Sequence, residues 1–459
     1  MLTSIVMLTY NKIAHTQTCI ESIREYTEQG TYELIVVDNG STDGTLEWLQ
    51  QQPDIRAILN TENQGFPKGC NQGIAIANGD SILLLNNDTI VTRNWLPNLT
   101  TCLFSSPDIG AVGAVTNNCS YSQSIPVNYQ NTPEMQSFAA AYNQSDPAKW
   151  EERLKLVGFC MLIKKSVVDE VGLLDEVFTP GNYEDDDYSL RIRLAGYRLM
   201  LCTDTFIHHF GSISFKDNNA LFAQLLRDNA KKFEDKWGFN PVYSTFMRNE
   251  IVAMMDPVSE RTMRVLEVGC ACGGILLKIK HTFKDVELYG IELNENAARS
   301  ARLIADVTVG DIEQLQLNYP AEFFDVIIMA DVLEHMADPW KILKQLRNYL
   351  RSDGKVVASI PNVMHFSVIR DMLNGFWNYQ DAGILDRTHL RFFTLHEIGK
   401  MFGECGFTNL VFNFTSIPAS EGDLKFINDL AEITNKNLIS QYMSYQYLVK
   451  ASKMPEAAP

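Results

Sequence analysis

Basic residues are in short supply. Against 39 Lys and Arg the chain sets 56 Asp and Glu, a formal net charge of −17, and no Lys/Arg cluster interrupts that balance. Neutralising nucleic-acid phosphates needs a basic face, so no nucleic-acid partner is expected. Cysteine is sparse and unpatterned: nine residues, no CxxC pair and no regular framework. That argues against a disulfide scaffold and a structural zinc site, and suits a reducing cytosol. Long apolar runs are missing too. Nothing approaches the ~20 residues that span a bilayer, which leaves peripheral contact with the inner face of a membrane as the only membrane role. The apolar start, residues 1–8, lacks a basic flank and a cleavage site and runs into Thr9-Tyr10-Asn11 as a first strand would. The expected location is cytoplasmic. The oligomeric state is not legible.

What is present is an ordinary globular composition, 46% apolar and 21% charged over 459 residues, too long for one core. In the stretch SILLLNND, residues 81–88, four apolar residues stop at two amides and a carboxylate. The pattern predicts a central strand covered on both faces. Asn86, Asn87 and Asp88 then stand beyond its carboxyl end, where open α/β sheets collect ligands, and oxygen ligands of this kind suit a hard divalent cation. Residues 4–8, 33–38 and 56–59 read as further strands, with a helix over 16–28 between the first two and a short helix from Thr45. Asp38 closes the second strand, placed to accept hydrogen bonds from a base or a ribose. The loop NQGFPKGCNQG, residues 63–73, is punctuated by glycine and offers Lys68 to a diphosphate.

SIVMLTYNK, IVVDNGSTDGT, NQGFPKGCNQGI and LLLNNDT, in this order and spacing, resemble the family 2 glycosyltransferases of the GT-A fold. The resemblance implies that Thr9, Asp38, Lys68 and Asn87 hold a nucleotide-sugar donor. It also implies that Asp88 binds a divalent metal, Mn2+ or Mg2+, on the sugar diphosphate. The motif reads Asn86-Asn87-Asp88, so its first carboxylate is missing. Residues 117–148, rich in Asn, Ser, Gln, Tyr and Pro, read as a long loop over the cleft, and 156–164 as a strand. GNYEDDDYSLRIRLAG, residues 181–196, reads by itself as a helix whose four acidic residues favour its N-terminal dipole. GLLDEVFTPGNYEDDDYSLRIRLAGYRL also resembles the EDxD segment of the same transferases. By that likeness Asp185 takes the proton of the acceptor hydroxyl, Glu184 stands beside it, and the sugar is passed on with inversion. His209, rather than His208, is the implied metal ligand before the Gly211-Ser212 pair.

Residues 218–237 read as helical, and Phe239-Asn240-Pro241 breaks the pattern near the expected domain boundary at 240. Residues 247–255 read as a helix leading into a new core. A strand at 264–268 runs into Gly269-Cys270-Ala271-Cys272-Gly273-Gly274 and then a helical pattern. Taken as Gly269, Ala271 and Gly274, this is a degenerate dinucleotide fingerprint. The next strand, 288–291, ends in Glu292, suited to a ribose. VLEVGCACGG, YGIELN, GDIEQL, FDVIIMADVLEHMADP and LRSDGKVVASIPN together resemble the class I methyltransferases that use S-adenosylmethionine. That implies a donor pocket shaped by Glu267, Gly269 and Gly273, with Glu292 on the ribose, Asp311 facing the adenine and Asp331 beside the methyl donor. Ala271 stands where the family has its middle glycine. His335 and His389 are the candidate bases, since a neutral imidazole takes a proton near pH 7, and His365 is a third. Phe376, Trp377 and Tyr379 are placed to stack on a sugar ring. Residues 453–459 read as a frayed tail.

The expectation is an α/β chain with a glycosyltransferase domain at 1–240 and a Rossmann-like methyltransferase domain at 241–459. Its implied work is to extend and O-methylate a surface polysaccharide on a glycan acceptor, lipid-linked or not, with rhamnose as one candidate sugar. The alternative is a glycosyltransferase carrying a non-catalytic or NAD-dependent second domain.

Overall fold

The computed structural model describes residues 1–211, 219–258 and 261–455. Ser212, Asn218 and the last four residues, on which some of the expectations fall, lie outside them. The chain divides into two compact units, Met1–Phe246 and Met247–Pro459.

The first unit contains strands β1 (Thr3–Thr9), β2 (Tyr32–Asp38), β3 (Ile55–Leu59), β4 (Ser81–Asn86), β5 (Thr89–Ile90), β6 (Ile109–Val115), β7 (Trp150–Arg153), β8 (Cys160–Lys164), β9 (Arg198–Phe206) and β10 (His208–His209). Eight of them form one sheet in the order β3-β2-β1-β4-β8-β6-β9-β7. The first four are parallel, and β8 runs against both β4 and β6. Central β4 is buried on both sides: Leu83 and Leu85 join one apolar cluster with Ile5 and Met7, Ile82 and Leu84 another with Val6 and Ile35. Its unbroken apolar run follows from that double burial. Register puts Thr9 opposite Asp38 and Leu8 opposite Asn86, so three strands end on one edge. A separate two-stranded ribbon pairs β10 with β5, bringing His209 opposite Thr89.

Four local expectations need correction. The tail expected from residue 453 starts later, because Lys453 ends the strand Gln446–Lys453 and its ammonium donates to the Leu350 carbonyl at 2.7 Å. Residues 117–148 hold the helix Thr132–Tyr142 rather than loop throughout. Asn131 caps that helix by accepting from the Glu134 N–H, Pro133 sits in its first turn, and Met135 and Ala139 are buried. The strand expected over 156–164 begins pairing only at Cys160, because the Gly158 N–H goes to the Asp185 carboxylate instead of a ladder partner. The helix expected over 247–255 is only Asn249–Val252, and Met254 and Met255 enter the same core cluster from the turn beyond it.

The second unit contains β11 (Met263–Val268), β12 (Val286–Glu292), β13 (Asp306–Val309), β14 (Phe324–Ala330), β15 (Leu350–Pro361), β16 (Phe407–Thr415) and β17 (Gln446–Lys453). They form one sheet in the order β13-β12-β11-β14-β15-β17-β16, with β17 antiparallel between β15 and β16. A sheet for a nicotinamide dinucleotide keeps six strands in the order 3-2-1-4-5-6. The reversed strand β17 departs from it and matches the Rossmann-like methyltransferase expectation. β11 ends at Val268, and Gly273, with φ +84°, opens the helix Gly274–Thr282. No helix among the described residues is long and apolar enough to cross a membrane.

Candidate functional sites

In the first unit the carboxyl edge of the sheet gathers the acidic turn after β4. His209 Nδ1 lies 2.9 Å from the Asn118 carbonyl and Nε2 lies 3.2 Å from Asp88 Oδ1. A carbonyl only accepts, so Nδ1 carries a hydrogen and Nε2 is the atom turned on the carboxylate. That pair needs one positive charge between its atoms, a proton or a metal cation. Both residues are buried, Asp88 8% and His209 7% exposed, and the Phe159 ring stacks on His209 at 5.0 Å. A cation therefore fits the donor set at Asp88 and His209. His208 turns elsewhere, to the Tyr129 hydroxyl at 2.6 Å.

Asp38 is fully buried. The Ser41 N–H donates to its Oδ2 at 3.1 Å, while Oδ1 has no partner. Thr9, also buried, shares a hydrogen bond with Thr16 at 2.8 Å, and the Asn87 amide donates to both hydroxyls. These two side chains support one another more than they face a ligand. Lys68 is exposed in the first turn of the helix Phe66–Ala75. Asn39 fastens the loop before that helix by donating to Asn63 Oδ1 and the Gly65 carbonyl, both at 3.1 Å.

The four acidic residues that open the helix Glu184–Leu194 divide into two kinds. Asp187, fully buried, pairs with Arg191 and Lys236 and accepts from Trp237 Nε1 at 2.9 Å. Asp186 pairs with Lys155, whose ammonium sits 4.4 Å over the Tyr121 ring. Among the described residues Glu184 and Asp185 form no ion pair. Asp185 accepts only backbone hydrogens, from Gly158 at 2.8 Å and Asp186 at 3.0 Å. Burial and the neighbouring Asp186 charge push its carboxyl up to about 7. Glu184, 6% exposed with one oxygen unpartnered, is raised well above the ordinary range by burial and then by Asp185.

One backbone segment joins the two acidic places. Gly158 donates to Asp185, the next residue, Phe159, covers His209, and the Phe159 carbonyl accepts from Asn86 N at 2.9 Å. A second segment does the same: Asn118 takes the His209 hydrogen, and Cys119, beside it, feels the Asp185 charge. None of Gly158, Phe159 or Asn118 stands out in the sequence. Asn118 lies in the segment 117–148 read as a loop over the cleft, whereas Gly158 and Phe159 fall in the stretch 156–164 read as a strand.

In the second unit the turn after β11 is made of left-handed residues: Gly269 (φ +72°), Ala271 (φ +47°) and Gly273 (φ +84°). A Cβ on Gly269 would lie 2.8 Å from Val332. Glu292, closing β12, is aimed by two backbone donors, Ala271 N at 2.7 Å and Asn294 N at 2.8 Å. Glu267 is 3% exposed, and burial, with the nearby Glu292 charge, raises its carboxyl well above the usual range. One of its oxygens is unpartnered. The fit to a donor with ribose hydroxyls and an amine rests on these two carboxylates. Asp311 caps the turn after Gly310 by accepting from Glu313 N and the Gln314 amide, both at 2.9 Å. Asp331 is held by Arg248, by the Ser359 hydroxyl at 2.6 Å and by the Gln446 amide at 2.9 Å. Arg248 had no place in the sequence reading.

His335 and His389 come together, ring centroids 4.7 Å apart and edge to face, beside buried Glu334. Burial and the His389 ring hold His335 below its usual range. His365 does something else. It caps the helix Phe366–Leu373, sharing a hydrogen bond with the Ser367 hydroxyl at 2.8 Å, and burial pushes it down to about 4. Phe376, Trp377 and Tyr379 are exposed, at 56%, 39% and 56%.

Residues 4–172 match the model of glycosyl transferase family 2, and residues 243–411 that of a methyltransferase domain. An uncharacterized protein of Sinorhizobium fredii, y4gI, is 27% identical over 46% of this chain and 25% of its own length. The low-salt glycan biosynthesis hexosyltransferase Agl10 of Haloferax volcanii is 31% identical over 38% of this chain and 57% of its own. A ubiquinone biosynthesis O-methyltransferase of Neisseria meningitidis is 29% identical over 35% of this chain and 79% of its own. The chain thus spans a quarter to little more than half of the length of the first two relatives. It carries a family 2 glycosyl transferase domain followed by a methyltransferase domain.

Proposed function

We propose that the first unit transfers a hexosyl or rhamnosyl unit from a nucleotide sugar to a glycan hydroxyl with inversion, and that the second O-methylates a glycan hydroxyl. The product is a surface polysaccharide, built in the cytoplasm or on a lipid-linked acceptor at the inner face of the membrane. The observation that carries the first half is the Gly158–Phe159 segment, which ties the carboxyl of Asp185 to the Asp88–His209 pair. Asp88 and His209 would hold Mn2+ or Mg2+, which supplies positive charge to the diphosphate of the donor. Asp38 offers its unpartnered oxygen to the base or ribose, and Lys68 its charge to the phosphates. Asp185 takes the acceptor proton, and burial keeps it basic enough to do so near neutral pH. Attack from the face opposite the leaving nucleotide inverts the anomeric carbon.

In the second unit Glu292 binds the ribose hydroxyls, Glu267 lies under the amino-acid end, Asp311 faces the adenine, and Asp331 fixes the floor through Arg248 and Ser359. S-adenosylmethionine supplies an activated methyl group when bound. The acceptor hydroxyl loses its proton beside His335 and His389. The names of the relatives support both halves: one is a hexosyltransferase of glycan biosynthesis, another an O-methyltransferase. The purified full chain with Mn2+, S-adenosylmethionine and a panel of nucleotide sugars tests this by mass spectrometry of an oligosaccharide acceptor. A product heavier by one sugar and one methyl is expected. Hydrolysis or transfer from none of the donors, with no uptake of S-adenosylmethionine by calorimetry, contradicts it.

A further inference from the structure

Glu334 is 1% exposed, and neither of its carboxylate oxygens has a hydrogen-bond partner. A carboxylate left that way inside a protein is unfavourable unless something positive reaches it. Two imidazoles flank it. His389, 9% exposed, has its Nδ1 2.9 Å from the Ile384 carbonyl, which can only accept, so Nδ1 carries the hydrogen. Thr388 spends its hydroxyl hydrogen on Asp386 at 2.6 Å and so receives one from His335 Nδ1 at 3.1 Å. Both rings are left with a lone pair on Nε2. One ligand atom from each of Glu334, His335 and His389 lies within 4.8 Å of the others.

The backbone prepares this meeting. Leu390 N and Arg391 N both donate to the Glu334 carbonyl, at 2.8 and 3.0 Å, and clamp the loop bearing His389 onto the turn bearing Glu334 and His335. Outward N–H bonds to a carbonyl and to a Thr–Asp relay are how metal-ligating histidines are oriented. Three lone-pair donors this close repel one another unless a proton or a cation lies among them. Asp331, on the same turn, is occupied by Arg248, Ser359 and Gln446 and is not needed as a ligand.

We propose that Glu334, His335 and His389 bind one divalent first-row cation of the Zn2+ or Mn2+ class, whose open positions hold the acceptor hydroxyl for methylation. Two imidazoles and a carboxylate suit such ions better than Mg2+ or Ca2+. The cation lowers the pKa of the hydroxyl. Its proton passes to water, the oxygen bonds to the methyl carbon, and the carbon–sulfur bond breaks to leave a neutral thioether. The histidines then serve as ligands, not as bases. The role of the cation rests on the methyl-transfer reading above, whereas the binding of the cation does not.

The test uses the full chain, stripped with EDTA and titrated with Co2+ by visible absorption. An Asp88→Asn background silences the glycosyltransferase site. That variant is expected to bind one Co2+ with d–d bands. Adding Glu334→Gln or His389→Gln should weaken binding at least about tenfold, with S-adenosylmethionine uptake by calorimetry unchanged. Glu334→Gln replaces a buried carboxyl whose two oxygens have no hydrogen-bond partner, so the metal-free variant should melt no lower than its parent. Absence of Co2+ binding in the Asp88→Asn chain, or equal binding in all three variants, overturns the proposal. Tight Co2+ binding without S-adenosylmethionine uptake upholds the site and sinks the methyl-transfer reading instead.

Discussion

His209 Nε2 faces Asp88 Oδ1 at 3.2 Å because the other ring nitrogen is committed to the Asn118 carbonyl. Two acceptors in that relation make a ready-made pair of ligands, and on the proposed reading they stand in for the carboxylate that Asn86 does not supply. His209→Asn and Asp88→Asn should each raise the Mn2+ concentration for half-maximal transfer at least about tenfold. The Tm in EDTA should not fall. The check is transfer rate against Mn2+ concentration; equal curves for variant and parent contradict the assignment.

Burial and the Asp186 charge push Asp185 up to about 7, and its proton-accepting form is the anion. The rate of transfer should therefore fall about tenfold per pH unit below that value and level off above it. Asp186→Asn removes the neighbouring negative charge and leaves Lys155 near Asp185, so the acid limb should move to lower pH. Stability runs the other way. A carboxyl raised in the folded state contributes most below its ordinary pKa and loses that contribution as pH rises through about 7. The check is a pair of pH profiles, one of kcat/KM and one of Tm, for both proteins.

Asp187 is the structural member of the acidic run. Asp187→Asn breaks its pairs with Arg191 and Lys236 and should destabilise the first unit by about 3 kcal/mol, read by urea denaturation. At permissive temperature the pH profile of transfer should keep its acid limb near 7.

Ala271 holds a left-handed conformation, φ +47°, that glycine adopts without strain. Ala271→Gly should stabilise the second unit by about 0.5 to 1 kcal/mol and leave S-adenosylmethionine affinity equal or better. Thermal melting and calorimetry read both quantities. The Ala271 N–H that aims Glu292 is retained in either residue.

The strand ends were legible from the sequence because each is an apolar run stopped by a polar residue: Thr9, Asp38 and Asn86 fall on one edge by register alone. The strand, glycine turn and helix around Gly273 were legible for the same reason. What separates Asp185 from Asp186 and Asp187 was not, because Lys155, Lys236 and Trp237 reach the run from distant segments. The helix Thr132–Tyr142 announced itself only in Asn131-Thr132-Pro133-Glu134, a cap and first turn inside a segment whose composition reads as loop. His335 and His389 were singled out separately as bases. Their meeting with Glu334 depends on two backbone hydrogen bonds between loops, which no spacing encodes.

The account turns on Asp185 as the group that receives the acceptor proton. The direct measurement is the single-turnover rate of sugar transfer by Asp185→Asn, with donor affinity measured alongside by calorimetry in Mn2+. The account predicts a rate lower by at least about a hundredfold with donor affinity unchanged, whereas transfer at the rate of the parent protein would contradict it.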